Sequence, residues 1–272
     1  MHYIPKTIHQ IWYQGEENIP EEYRYYASTW RKYNKNYEYL LWDQDDINKL
    51  LCSMYPKYVE FYEGLPTMIQ KIDFAKYCIM YAYGGVYVDM DCECLKPINS
   101  LFLKSKKKLF VVSLEVDIFE QIASNYYDIL YNNGWFASSQ KNALWKQLMK
   151  YISNQSMERE WYETNIGYIF RTTGPKAFSI VVNNFTEKQV IESGLIDPIK
   201  WTEYTNRYDI DYSKYKDSYS IHHYGSKSIN GQSWQSNSEI ILGMLLHYLK
   251  KYWKLSAVVM LLLILDHTNS VL

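Results

Sequence analysis

The chain has 272 residues and a formal net charge of −1, and 47% of its residues are hydrophobic against 22% charged. This composition excludes an intrinsically disordered chain and allows one large domain or two modest ones. The near-zero charge gives no electrostatic reason to expect nucleic-acid binding. Aromatic residues make up 17% of the chain. Two explanations stay open: the codon usage of an A/T-rich genome, or aromatic side chains that stack on sugars and bases.

The N-terminus carries no apolar signal segment, so we expect a cytoplasmic protein whose four cysteines need not form disulfides. Cys92 and Cys94 share one face of a predicted strand, which suits packing in the core. A zinc site would need further partners at suitable spacing, and we predict none.

The N-terminal part of the chain alternates between strand and helix patterns. We predict a strand over residues 4–12, a helix over 20–33, a strand over 37–42 and a short helix, capped by Asp43, that ends at Leu51. This order of elements predicts a parallel α/β sheet.

A second group of elements follows. Apolar residues recur at helical spacing over residues 66–83, and a double glycine ends this helix. We predict strands over 86–89 and 109–114, a short strand at 135–137, a helix over 142–151, and regular elements over 180–184 and 218–222.

The C-terminal tail contains two apolar runs, residues 240–248 and 255–265, with lysines between them. The second run is too short to cross a bilayer, which needs roughly 20 residues. Three interpretations stay open: a helix packed on the domain, a peripheral membrane contact with lysines on lipid phosphates, or a frayed end.

The most informative stretch is residues 73–91, which joins a helix, a double glycine, a short strand and two aspartates one residue apart. Side chains two positions apart on a strand point to the same side, so Asp89 and Asp91 are predicted to converge. Two carboxylates at the end of a buried strand suit Mg²⁺ or Mn²⁺, and such an ion typically also holds a phosphate. Gly84 and Gly85 are predicted to let a ligand approach the backbone closely. The stretch therefore predicts a metal-dependent enzyme that acts on a diphosphate.

Several segments together carry a family resemblance: residues 4–12, residues 73–91, Pro97-Ile98, Thr173-Gly174-Pro175, and residues 221–224 with 233–234. They resemble the DXD-motif sugar-binding glycosyltransferases, which include yeast-type initiating α-mannosyltransferases and bacterial capsule and lipopolysaccharide sugar transferases. The chain is also distantly similar to the large clostridial glucosylating toxins. The resemblance is densest over residues 4–98.

The resemblance implies a GT-A fold, which is a Rossmann-like, mostly parallel central sheet flanked by helices. It also implies a nucleotide-sugar donor and a divalent cation, Mn²⁺ or Mg²⁺. We expect residues 1–250 to form this domain, with 1–98 as the nucleotide-sugar-binding half and 99–250 as the acceptor side and lid. Residues 251–272 would form the apolar tail.

By the same resemblance, Trp12 stacks on the nucleotide base and the backbone at Ile11 lines that pocket. Asp73 binds donor-sugar hydroxyls. Lys76 stands where the family has arginine, so the charge toward the donor is kept but the planar fork is lost. The alternatives are a core tryptophan at Trp12 and an Asp73 that pairs with Lys76 or Lys71 on its own helix.

The resemblance makes Asp89 and Asp91 the catalytic pair, with Asp89 on ribose and sugar hydroxyls and on the metal, and Asp91 on the metal directly. A histidine completes the metal site, since imidazole is an acceptable Mn²⁺ ligand. Only one of His222 and His223 can point inward from a strand, and we expect His223 as the ligand. A pair of surface histidines is the alternative.

Three further residues complete the expected site. Ser233 and Trp234 close over the diphosphate as part of a lid, according to the resemblance. Asn133 is placed in a polar turn that borders the acceptor side. His9 is expected to be a hydrogen-bonded strand histidine rather than a ligand.

The predicted function is a retaining, metal-dependent transfer of a hexose from a UDP- or GDP-sugar to a glycan or lipid-linked glycan, in surface polysaccharide or capsule synthesis. The enzyme would be cytoplasmic, with its tail as the candidate contact to the cytoplasmic face of a membrane. Front-face attack by the acceptor hydroxyl is the usual proposal for this family, so we assign no catalytic base.

Three other functions compete with this one. A metal-dependent phosphohydrolase also uses Asp-x-Asp, but there the pair follows the first strand of the domain. A non-catalytic carbohydrate-binding module suits the aromatic content but conflicts with the α/β pattern. A toxin-like glycosyltransferase with a protein acceptor stays within the family, but the chain shows no delivery or export segment.

Overall fold

The structure is a computed structural model. It describes residues 4–103, 105–116, 121, 126, 128–160, 163–201 and 203–225. The predictions for Ser233, Trp234 and the tail over residues 251–272 lie outside the described residues.

A six-stranded sheet forms the centre of the fold, in the order β2-β1-β3-β6-β5-β7. Strand β6 is antiparallel to both of its neighbours, while β1 pairs in parallel with β2 and β3, and β5 pairs in parallel with β7. A separate antiparallel ribbon joins β4 and β8. The strands are β1 (Thr7–Ile11), β2 (Glu38–Trp42), β3 (Gly85–Val88), β4 (Cys92–Cys94), β5 (Leu109–Ser113), β6 (Tyr131–Ser138), β7 (Gln189–Ile191) and β8 (Ser220–His222).

Helices flank this sheet, which confirms the predicted α/β class with a mostly parallel central sheet. The helices are α1 (Glu21–Tyr33), α2 (Gln44–Met54), α3 (Val59–Glu63), α4 (Met68–Tyr83), α5 (Asn99–Leu103), α6 (Ala143–Asn154), α7 (Asn165–Thr172), α8 (Pro175–Asn183) and α9 (Ser193–Ile196). Short 3-10 helices occupy Glu16–Asn18, Pro56–Tyr58, Arg207–Asp209 and Tyr212–Tyr215. Within the described part of the chain, no helix has both the length and the apolar content to cross a membrane.

Local capping explains where the two best-predicted helices begin. The Asp43 side chain accepts a hydrogen bond from the Asp46 N–H at the start of α2, as its position before the helix predicts. Thr67 and Gln70 form a reciprocal capping box at the start of α4.

Several elements differ from the sequence predictions. The predicted strand at 135–137 is the middle of the eight-residue strand β6, and the element predicted over 180–184 is the end of α8. The strand predicted at Cys92 and Cys94 is β4. The predictions missed α3, α5, α7, α9 and β7. Two of these, α9 and β7, have four residues or fewer, which is too short for a hydrophobic period to show.

The sheet separates two layers of core. On one face, the rings of Tyr77, Trp145 and Phe178 stack in near-parallel planes over Phe136 of β6. On the other face, alternate residues of the same strands pack with Trp30 of α1. Because both faces are covered, the loops at the strand ends are the part of the central sheet that stays open to a ligand.

His9 lies in the interior of β1 and is fully buried. Its Nε2 donates to the Gly84 carbonyl at 2.8 Å, and its Nδ1 accepts from the Trp42 indole at 3.1 Å. The expectation of a hydrogen-bonded strand histidine is therefore confirmed. Burial lowers the pKa of His9 from 6.5 to about 4, against a smaller opposite effect of the bond to Gly84.

This shift predicts an acid-sensitive contribution to stability. The unfolded chain takes up a proton on His9 below pH 6.5, while the folded chain does not until about pH 4. Stability from this residue is therefore complete above the unfolded pKa and is lost as pH falls toward the folded pKa, by about 3 kcal/mol in total. Urea unfolding at about pH 7.5 and about pH 5 should show a loss of about 2 kcal/mol that His9→Gln lacks. Equal pH dependence in both proteins would contradict the assignment.

Candidate active site

The Asp-x-Asp motif forms a tight turn between β3 and β4. Strand β3 ends at Val88, and the Cys92 N–H donates to the Asp89 carbonyl at 3.1 Å across the turn. The prediction that both carboxylates share one strand face is therefore wrong. The pair lies at the end of the central strand, where the Gln10 side chain from β1 also donates to the Asp89 carbonyl at 3.1 Å.

Asp89 is fixed by contacts on three sides. Its N–H donates to the Gly134 carbonyl at 2.8 Å, its Oδ1 accepts from the Tyr87 hydroxyl at 2.7 Å, and the Lys76 ammonium lies 3.9 Å from the same oxygen. Burial raises the pKa of Asp89, and the charge of Lys76 offsets only part of that effect. The side chain keeps 30% of its surface exposed, so it can still contact a ligand.

Asp91 forms an ion pair with His222. Its Oδ2 lies 3.1 Å from His222 Nε2 and accepts from the Gly225 N–H at 2.8 Å. Burial alone would raise the pKa of Asp91, but the charge and hydrogen bond of His222 lower it to about 2. Burial likewise opposes the charge on His222, but Asp91 raises the pKa of His222 well above its usual value.

His223, the predicted metal ligand, points away from Asp91. Its Nε2 lies 2.9 Å from Glu93 Oε2, and its ring stacks on Tyr26 at 4.2 Å. The reason is strand geometry: His222 pairs with Cys92 across the β4–β8 ribbon, so the next residue faces the opposite side. The structure therefore places His222, and not the predicted His223, beside Asp91.

The donor atoms beside Asp91 suit a divalent cation. Ligand atoms of Asp91, His222 and Cys92 lie within 4.8 Å of one another. Burial raises the pKa of the Cys92 thiol well above its usual value, which keeps it protonated and a poor ligand. A carboxylate and an imidazole remain, a combination that Mn²⁺ accepts readily. A cation would compete with the proton for His222, because a metal binds only the neutral imidazole.

A buried polar network lies beside the turn that carries Asp89 and Asp91. The Lys76 ammonium lies 2.7 Å from Asp73 Oδ1, and both residues are on α4. Asp73 also accepts from Asn133 Nδ2 at 3.1 Å and from the Thr173 hydroxyl at 2.8 Å. Asp73 thus pairs with Lys76 on its own helix, as the alternative interpretation held. Direct binding of donor hydroxyls by Asp73 stays a prediction.

Asn133 does not lie in a polar turn. It is part of β6, beside β3, and its amide also approaches the Tyr77 hydroxyl at 3.4 Å. The predicted place on the acceptor side is wrong in its structural basis, because the strand brings Asn133 onto the Asp73 network instead.

Gly84 and Gly85 are needed because the protein's own backbone packs closely against them. Both have positive φ angles, 65° and 98°. A Cβ at Gly84 would clash with the backbone nitrogen of Gln140, and one at Gly85 would lie 2.6 Å from the Thr7 carbonyl. Their missing side chains let the protein's own backbone approach. The close approach of a ligand at these two positions stays a prediction.

Trp12 follows β1 and packs against Tyr23 with ring centroids 5.1 Å apart. Its indole Nε1 is buried and has no hydrogen-bond partner among the described residues. The side chain of the preceding Ile11 is buried in the core. Stacking of Trp12 on a base, beside the backbone of Ile11, stays a prediction.

Comparison with known proteins supports the resemblance. Residues 20–108, about a third of the chain, match the model described as the glycosyltransferase sugar-binding region containing DXD motif. The matched range contains the Asp73–Lys76 pair and the Asp89–Asp91 turn. The resemblance to the DXD-motif glycosyltransferases stated from the sequence is thereby confirmed.

The relatives of this chain include two named mannosyltransferases. Inositol phosphoceramide mannosyltransferase 1 of Schizosaccharomyces pombe is 32% identical over 178 residues, which cover 64% of this chain and 50% of the relative. Initiation-specific alpha-1,6-mannosyltransferase of Saccharomyces cerevisiae is 37% identical over 103 residues, 36% of this chain and 22% of the relative. The chain thus spans half the length, or less, of these curated relatives.

Among solved structures, the chain aligns with a crystal structure of a glycosyltransferase involved in the glycosylation of the major capsid of PBCV-1. The alignment has a TM-score of 0.47 at 14% identity and covers 82% of this chain and 96% of that chain.

The sequence did not predict the contacts that two residues, Thr173 and Asp197, make at the candidate site. Thr173 belongs to a motif noted in the sequence, but its hydrogen bond to Asp73 bridges 100 positions of the chain. Asp197, which lies close to His222, is a single aspartate with no motif around it. Neither contact leaves a periodic signal, because tertiary packing alone creates it.

Lys76 offers a stability test of the buried network. Its side chain is 3% exposed, and burial would lower its pKa, but Asp73 and Asp89 raise the pKa above its usual value. Lys76→Met would leave the Asp73 carboxylate buried without its cation, at a cost of roughly 3–5 kcal/mol in unfolding free energy. Urea titration measures this loss.

The double variant Lys76→Met with Asp73→Asn is the matched control. It removes both charges and should be more stable than Lys76→Met alone, since no buried charge is left unpaired. Additive losses would show that the two groups do not interact.

Proposed function

We propose that the chain transfers mannose from a nucleotide-diphosphate donor such as GDP-mannose to a glycan or lipid-linked glycan acceptor, in a reaction that depends on a divalent cation. The observation that carries this proposal is the convergence of the Asp91 carboxylate and the His222 imidazole, 3.1 Å apart, beside Asp89 in a DXD-family turn. The sugar is suggested by the two relatives that are named mannosyltransferases.

Asp91 and His222 would hold the cation. When bound, it would supply positive charge that stabilises the diphosphate leaving group. Mn²⁺ suits this donor pair better than Mg²⁺, because Mg²⁺ prefers oxygen ligands and keeps much of its water shell. Asp91 is 18% exposed, so its carboxylate is accessible at the surface of the site.

Asp89 would receive hydroxyl groups of the donor ribose and sugar. Its Oδ1 already accepts from Tyr87, so its Oδ2 is the oxygen better placed to take a further donor. Lys76 lies beneath it and keeps both Asp89 and Asp73 in fixed positions through its charge. This arrangement places the carboxylate before the substrate arrives, which avoids reorganisation during the reaction.

Retention of the anomeric configuration completes the proposal. One relative is named an alpha-1,6-mannosyltransferase. Since GDP-mannose is α-linked, an α-linked product requires net retention. We assign no catalytic base, and the proposed acceptor is a cell-surface glycan or glycolipid.

Hydrolysis of a donor panel tests the proposal. GDP-mannose, UDP-glucose, UDP-galactose and UDP-N-acetylglucosamine are each incubated with protein and either Mn²⁺ or EDTA, and nucleotide release is measured. We expect release of GDP from GDP-mannose with Mn²⁺ alone, and proton NMR with a mannoside acceptor should show an α-linked product. Nucleotide release from a UDP-sugar instead would show that the donor is not GDP-mannose. If the protein showed no nucleotide release and no cation-dependent nucleotide binding, the proposed activity would be contradicted.

A further inference from the structure

Asp197 is a buried carboxylate with both oxygens engaged by the protein. It follows α9, and its side chain is 2% exposed. Its Oδ2 accepts from Asn132 Nδ2 at 2.8 Å, and its Oδ1 lies 3.1 Å from the Tyr224 hydroxyl. A carboxylate buried in this way is poorly placed to be a direct metal ligand, but each oxygen keeps a lone pair that can accept a further hydrogen bond.

The imidazole of His222 lies between Asp197 and Asp91. Its Nε2 is 3.1 Å from Asp91 Oδ2, and its Nδ1 is 3.5 Å from Asp197 Oδ2. The Nδ1 atom is buried and makes no well-formed hydrogen bond within the described residues. Each ring nitrogen therefore faces a different carboxylate.

Hydrogen bonds between α9 and the segment that contains β8 hold this arrangement in place. The Ser218 and Ser220 hydroxyls donate to the Gly194 and Ile196 carbonyls at 2.7 and 2.6 Å, and these contacts tie α9 to β8. Asp197 follows α9 directly and His222 ends β8, so neither side chain can shift far from the other.

We propose that Asp197 is a positioning residue that keeps the proton of His222 on Nδ1 and leaves Nε2 available to a divalent cation beside Asp91. This inference rests on the proposed function. A carboxylate on the far nitrogen of a ligating histidine fixes the tautomer and the ring plane and raises the basicity of the nitrogen that coordinates. The buried donors Asn132 and Tyr224 hold the carboxylate in place for that task.

Direct Mn²⁺ binding tests the proposal without relying on turnover. Mn²⁺ affinity is measured by electron paramagnetic resonance for the wild type, Asp197→Asn, His222→Ala and the double variant. We expect Asp197→Asn to weaken binding about 10–100-fold. In the His222→Ala background the same substitution should cause no further loss, because Asp197 acts through His222. Melting temperatures without metal control for folding.

The outcomes separate this inference from the proposed function. A wild type that binds no Mn²⁺ contradicts both. Equal Mn²⁺ affinities of the wild type and Asp197→Asn would overturn only the role of Asp197 and not the proposed function. Additive losses in the double variant would do the same.

A second measurement needs no variant and serves if Asp197→Asn does not fold. Nitrogen-15 NMR of histidine-labelled wild-type protein with the diamagnetic ion Zn²⁺, which binds imidazole, reports which ring nitrogen of His222 carries the proton. We expect the proton on Nδ1, and a proton on Nε2 would overturn the proposal.

Discussion

Asp91→Asn is expected to lower cation-dependent nucleotide release on the order of 10³-fold. The amide keeps the shape of the carboxylate but removes the charge that pairs with His222 and would hold the cation. Because asparagine is nearly isosteric with aspartate, we expect the backbone of the turn between β3 and β4 to stay in place. Steady-state assays at several Mn²⁺ concentrations measure the effect.

Asp45→Asn is the matched control for this prediction. Asp45 lies on an exposed position of α2, so the same chemical change there should leave activity within about twofold of the wild type. If Asp91→Asn also retained activity within about tenfold of the wild type, Asp91 would not hold a catalytic cation.

Gly134→Ala is expected to reduce activity about 100-fold with little change in melting temperature. Gly134 lies in β6 under the turn, and a Cβ there would sit 2.5 Å from Asp89 Oδ2. Its φ is not among the positive glycine φ angles of the described chain, so the backbone tolerates alanine. The carboxylate of Asp89 is the group that must move.

Gly194→Ala is the control for this substitution, since a Cβ at Gly194 would meet nothing within 4 Å. It should leave both activity and melting temperature unchanged. A Gly134→Ala protein with full activity would show that the position of Asp89 does not matter for turnover. A large fall in melting temperature would instead indicate that the backbone, and not the carboxylate, absorbs the clash.

Local signals explain which parts of the fold could be predicted from the sequence. The alternation over the first 50 residues identified β1, β2 and the two helices between and after them, because strand and helix periods are local. Asp43 and the helical stripe before Gly84 likewise marked where α2 begins and α4 ends. The Asp89–Asp91 pair was recognisable because its motif is contiguous.

Contacts between distant positions explain what could not be predicted. The choice between His222 and His223 depends on the register of β8 against β4, which no local pattern specifies. Asn133 reaches Asp73 only because β6 inserts antiparallel beside β3. Asp197 enters the site because α9 packs on β8, a contact that leaves no mark in the residues around it.

The most direct test of the account is the position of a bound cation. Crystals grown with Mn²⁺ and GDP, measured at the manganese absorption edge, would locate the ion by its anomalous signal. We expect one strong peak between the Asp91 carboxylate and the His222 imidazole, next to the diphosphate. A peak at Glu93 and His223, or bound GDP with no manganese at Asp91, would contradict it.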